Sequence, residues 1–282
     1  MQRLPILDIV KQSFALPFSR PVEFFKTIGL FISVTVLAII AAMIVGMASG
    51  LSPEAMASLE ESVANGDFSA LAAMIPALLV VVVLVMMVAA YIFNFWVRAG
   101  AFGFEHARIK PLGAALSAAF VNGLKFVLIA ILLGIVSFVI ISILSTLGLT
   151  SSFSEQIASS MDQDLAAATR AGILNQIVSL VAGSIIYSLF SANLTQTAMR
   201  TDDEGLSHPH TVDFAVVLIL VYLVLLVPVT LAGLTGSAVL STVINLVLGV
   251  FVMFAIGVAH GIRYRICRAE EVGVDTGNTS NE

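Results

Sequence analysis

Few residues in this chain have the types and spacing that chemistry needs. Glu105 and His106 adjoin each other seven residues after Arg98. An acid, a base and a cation near one headgroup plane could serve acid–base chemistry on a lipid headgroup. No nucleophile stands near them in the sequence. His208-Pro209-His210, beside Asp202, Asp203 and Glu204, offers ligand-type side chains for a divalent metal. Proline between the two histidines blocks the helical i, i+4 geometry, so a polar loop is the plainer reading. The single cysteine, Cys267, excludes an internal disulfide and any cysteine-based zinc site. No GxSxG, HExxH, P-loop or dinucleotide fingerprint occurs. The expectation is therefore no catalytic residue, no metal, no cofactor and no nucleic-acid partner.

The elements that would position such groups are membrane spans. Hydrophobic residues make up 59% of the chain and charged residues 11%, against roughly 45–50% and about 25% in soluble domains. With a mean hydropathy of +1.05, there is too little polar surface to coat a soluble globule. The bilayer must be the solvent.

One stretch sets the direction of the rest. After an apolar run over 71–90 come Tyr91, Phe93, Phe95 and Trp96, then Arg98, Arg108 and Lys110. Amphipathic rings favour the headgroup level, and Arg and Lys favour its cytoplasmic side. A span therefore leaves the membrane here, into the cytoplasm. The predicted architecture is all-α, with six transmembrane helices over 27–50, 71–97, 124–147, 173–199, 212–234 and 239–262. Each is long enough for about 30 Å of hydrocarbon. Of 13 Lys and Arg residues, all but Arg170 fall on one side. That sorting predicts an inner (plasma) membrane protein of bacterial type with both termini cytoplasmic.

Apolar residues at i, i+4, i+8 predict amphipathic helices over 5–17 (Ile6, Val10, Phe14), lying either on the cytoplasmic leaflet or against the bundle's own cytoplasmic end, and, as an interfacial segment, after Pro111 (Leu112, Leu116, Phe120). Pro17 and Pro21 are expected to break the first of these. The acidic loops 51–70 and 148–171 are each expected to carry a short amphipathic helix outside, and Pro228 to kink the fifth span. Residues 1–268 read as one transmembrane domain, with possible hairpin repeats over 5–110, 111–208 and 209–268. The polar stretch 269–282 reads as a disordered cytoplasmic tail.

Within the spans, polar side chains are few. Asn94, Asn175, Gln176, Ser184, Tyr187, Asn193, Thr242 and Asn245 are expected to hydrogen-bond between helices, at about 0.6 kcal/mol each. Gly46/Gly50 and Gly257/Gly261 form GxxxG pairs suited to close helix approach. The central spans carry no acid or base, which argues against a proton-coupled pump. The cytoplasmic rim holds more promise. Lys26, Arg98, Arg108, Lys110, Lys125, Arg200, Arg263, Arg265 and Arg268 lie near the headgroup plane, with Trp96, Phe24, Phe25 and Tyr264 among them. Such a collar attracts anionic lipid headgroups by about 1 kcal/mol per cation.

The leader ILDIVKQSFALPF, the acidic outer loops and the exit WVRAGAFGFEHARIK resemble bacterial six-helix membrane families. The nearest is the membrane domain that accompanies some glycerophosphodiester phosphodiesterases. The likeness is architectural and covers most of the chain loosely. The soluble phosphodiesterase domain has no counterpart in it, so the resemblance implies no hydrolase activity. The favoured expectation is a non-catalytic membrane protein that organises lipid, or a protein partner, or further copies of itself. The alternatives are a passive channel lined by Ser and Asn of the fourth and sixth spans, and a headgroup-plane enzyme using Glu105, His106 and Arg98.

Overall fold

The computed structural model describes residues 4–49, 69–147, 165–200 and 210–271. These form seven α-helices: α1 (Ile6–Ser19), α2 (Pro21–Ala48), α3 (Ser69–Phe102), α4 (Leu112–Thr146), α5 (Leu165–Met199), α6 (Thr211–Leu234) and α7 (Ala238–Glu271). One 3-10 turn, Phe104–His106, follows α3. No strand occurs among the described residues. α2 to α7 each contain a stretch long and apolar enough to cross a membrane.

Their outer surfaces explain why hydrocarbon is the required solvent. Ile32, Val36, Leu37, Ile40 and Ile44 of α2 are exposed, as are Leu128, Ile131, Ile135 and Phe138 of α4. In water such continuous apolar faces would drive aggregation. Against lipid tails, which are as apolar as leucine, they are neutral.

The core lies where α7 crosses α3. At Gly257 an added Cβ would stand 2.9 Å from Trp96 Cβ, and at Gly100 one would stand 2.6 Å from the Val258 carbonyl oxygen. At Gly261 it would run into the Val97 carbonyl oxygen. Three glycines thus let two backbones touch. Aromatic rings close around the crossing: Trp96 stacks on Phe254 with centroids 5.1 Å apart, and Phe24 of α2 meets Phe254 edge-on at 5.5 Å.

Several boundaries differ from the sequence reading. Pro17 does not break α1, which runs on to Ser19; it forfeits one backbone hydrogen bond, and the packing of α1 on the bundle continues past it. Pro21 opens α2 at its first position, so the helix starts well before 27. The separate interfacial segment expected after Pro111 is instead the first part of α4. Nothing between Phe120 and Lys125 can stop a helix except Gly123, and Gly123 is packed against Met86 of α3. Lys125 therefore sits inside an unbroken helix, about 20 Å from its first residue. α3 runs past 97 to Phe102 and ends at Gly103, whose φ of +80° suits glycine. α6 runs as the fifth span was read, with Pro228 in its interior. α7 continues past 262 to Glu271, so the first residues of the expected tail are helical. Of the acidic loops 51–70 and 148–171, residues 51–68 and 148–164 lie outside the described residues, while 69–70 and 165–171 belong to α3 and α5, so α5 starts before the expected 173.

α1 does not stand apart from the bundle. It packs on α7 and α6, with Ile9, Ser13 and Pro17 buried. Phe14 and Phe18 stack on Phe251 of α7, and the Leu4 amide donates to Asp213 at 3.3 Å.

Candidate functional site

One end of the bundle collects the cations. The ion pair from Arg108 to Glu23 at 3.3 Å ties the α3–α4 connection to the start of α2. Lys26 pairs with the same carboxylate at 2.9 Å. His210, before α6, pairs with Glu270 of α7 at 3.3 Å and with Asp213 at 3.4 Å. Arg265 donates to Gln12 of α1 at 3.4 Å. Lys110, Arg200, Arg265 and Arg268 are exposed. We call this the basic end.

Arg98 is partly buried. It donates to the His106 carbonyl at 2.9 and 3.1 Å and to the Met199 carbonyl at 3.3 Å. It also lies over the Phe102 ring at 5.4 Å. The guanidinium fastens the turn after α3 to the last residue of α5. Glu105 and His106 are exposed, and what His106 offers Arg98 is its backbone carbonyl. The acid, base and cation of the enzyme reading are thus neighbours in chain, with the cation turned to backbone.

Lys125 is held differently. Its ammonium donates to the Asn193 carbonyl at 3.2 Å and to the Thr197 hydroxyl, both on α5. It heads a groove of about 200 Å³ whose other walls include Leu128, Ile129 and Leu132 of α4 and Phe190 and Leu194 of α5.

Three residues expected on the rim have their side chains buried inside the bundle. Trp96 is 0% exposed, enclosed by Phe95, Phe104 and Phe254. Arg263 is 5% exposed; it donates to the Ser191 hydroxyl at 2.6 Å and stacks over Phe214 at 4.6 Å. Tyr264, placed on the same rim, is also buried. The α3–α7 crossing reaches down to the level of these residues, so their side chains turn inward.

Arg263 starts a buried polar column. His260 is fully buried between α5 and α7. Its Nε2 lies 3.2 Å from the Tyr187 hydroxyl and its Nδ1 lies 2.8 Å from the Thr195 hydroxyl. Phe93 and Phe214 meet the imidazole edge-on at 5.1 and 4.9 Å. Beside the column, Asn122 donates to Asn94 at 2.6 Å and to the Leu194 carbonyl at 3.0 Å. Asn94, Gly257 and Gly261 therefore sit in helix contacts. Asn193 contributes its carbonyl while its side chain is exposed. Asn245 corrects the packing expectation: it is exposed, because α7 stands away from its neighbours at that level and leaves cavities on either side.

Sequence reasoning passed over His260, Ser191 and Thr195. A signal was present. Tyr187, Ser191 and Thr195 fall at i, i+4, i+8 on α5, a polar stripe at helical spacing, and His260 and Arg263 share one face of α7. Two polar stripes in apolar helices need each other.

On the far side of Tyr187 the column opens into a cavity of about 430 Å³ between α5 and α6, bounded also by Leu133 of α4 and Asn245 of α7. Among the described residues, no group of three or more His, Cys, Asp or Glu side chains could hold a metal ion; His208 lies outside them. Neither family models, curated proteins nor solved structures yield a match to this chain.

Proposed function

We propose that the chain is a non-catalytic multi-pass protein of a bacterial inner membrane. In this reading both termini face the cytoplasm, and the basic end holds anionic phospholipid as part of a lipid-organising or accessory role. The observation that carries it is the groove headed by Lys125. An ammonium has three donors; here two are engaged by Asn193 and Thr197, which hold the charge at the groove's mouth. The third can meet a phosphate oxygen. Leu128 and Leu132 continue down α4 from Lys125, facing Phe190 and Leu194. A cation at the head and an apolar trough below match a phospholipid's own order of parts.

The surrounding exposed cations add attraction to an anionic surface, at about 1 kcal/mol each. Their position at one end of the bundle supports the cytoplasmic orientation. A periplasm-active reporter fused after Gly66 is expected to be active, whereas activity of a cytosol-only reporter there reverses the orientation. The binding itself is tested in detergent. Phosphatidylglycerol is expected to raise the melting temperature, and phosphatidylcholine to leave it nearly unchanged. Equal shifts from the two lipids count against the proposal.

A further inference from the structure

We propose that the cavity between α5 and α6 binds an uncharged lipid whose small head carries hydroxyl and carbonyl groups, diacylglycerol being the simplest such molecule. This goes beyond the anionic site at the basic end and does not depend on it. About 430 Å³ falls within the roughly 300–1,000 Å³ of small-molecule pockets.

The first observation is Ser184. Its hydroxyl is buried, the residue being 1% exposed, and it has no hydrogen-bond partner among the described residues. A serine inside a helix can always turn its hydroxyl onto a carbonyl of the preceding turn. Ser188, Ser191 and Thr195 of the same helix all do so, at 2.7, 2.6 and 3.0 Å. Ser184 instead lines the cavity. A buried hydroxyl left unpaired is unfavourable, and an acceptor or donor in the cavity relieves it.

The second observation is the chemistry of the wall. Gln176, Ser179, Tyr222 and Asn245 join Ser184 among leucines and a valine. None of the described residues lining it is Asp, Glu, Lys or Arg. A charged headgroup would have no counter-ion there and would lose its hydration. Hydroxyl and carbonyl groups would find donors and acceptors, and acyl chains would find the leucines.

The third observation separates a binding site from a channel. Towards the basic end the cavity stops at Tyr187, whose hydroxyl is engaged by His260. Beyond it lie Thr195, Ser191 and Arg263, all buried and hydrogen-bonded. A ligand can enter from the bilayer but has no open way through.

The test uses the full chain in phosphatidylcholine nanodiscs containing a diazirine-bearing diacylglycerol. After irradiation, the labelled peptides are mapped by mass spectrometry. Saturable labelling is expected within 176–187 and 222–229, displaced by unlabelled diacylglycerol and not by phosphatidylglycerol. Gly183 lines the cavity and has open space where a side chain would go, so Gly183→Leu fills it from within. That variant is expected to lose at least tenfold in labelling while keeping its retention of phosphatidylglycerol. Ser184→Ala removes the hydroxyl without adding bulk to the cavity. It is expected to weaken labelling about three- to tenfold, and it decides the matter if Gly183→Leu does not fold. The proposal is overturned by labelling that is unsaturable, equally displaced by phosphatidylglycerol, confined to the outer faces or to a second copy of the chain, or unchanged in Ser184→Ala.

Discussion

The two halves of α7 use similar residues to opposite ends. In the C-terminal half, Gly257 and Gly261 face the backbone of α3 and close the helix crossing, and His260 and Arg263 find partners on α5. In the N-terminal half, Ser241, Thr242, Asn245 and Gly249 border open space. A cavity of about 490 Å³ lies on the side towards Phe31 of α2, and Asn245 also reaches the cavity between α5 and α6. No atom lies within 4 Å of where a Cβ at Gly249 would stand. A small or polar residue in a membrane helix is thus not packing by type. It is packing when the facing helix brings backbone or a hydrogen-bonding partner to it.

That contrast can be broken most severely at Gly261. Gly261→Ala drives a methyl into the Val97 carbonyl and the Ala101 amide, which are backbone and cannot swing aside. A loss of about 3 kcal/mol is expected, read by unfolding in detergent. A variant as stable as wild type would show that the two helices do not touch there. Next comes His260→Leu, which leaves the Tyr187 hydroxyl without its partner in the core. About 1–3 kcal/mol is expected. Tyr187→Phe added to it should then recover part of that loss, since it removes the hydroxyl left unpaired. Gly249→Ala is the smallest, within about 0.5 kcal/mol of zero. A large loss there would mean that the loosely packed half is closed in the membrane.

Much of the fold was legible because hydropathy and helix length report on the bilayer directly. Six spans could be read from apolar runs alone, and the boundaries erred where the sequence offered a proline or a cation as a stop sign. Pro17 and Lys125 both lie inside continuous helices. Proline forfeits one hydrogen bond and lysine can snorkel, so neither ends a helix whose packing continues. Burial was less legible. Trp96 and Arg263 have the composition of a headgroup belt and the position of a core, and only the depth of the α3–α7 crossing decides between them. The cavity could not be read at all, since it depends on where four helices fail to meet.

The proposed lipid site at Lys125 is tested most directly by native mass spectrometry of protein extracted gently from membranes containing both phosphatidylglycerol and phosphatidylcholine. Wild-type protein is expected to retain phosphatidylglycerol selectively, and Lys125→Leu to retain about fivefold less, the equivalent of about 1 kcal/mol for one cation at an anionic surface. A bare wild-type monomer, or a Lys125→Leu variant that holds the anionic lipid as well as wild type does, would contradict it.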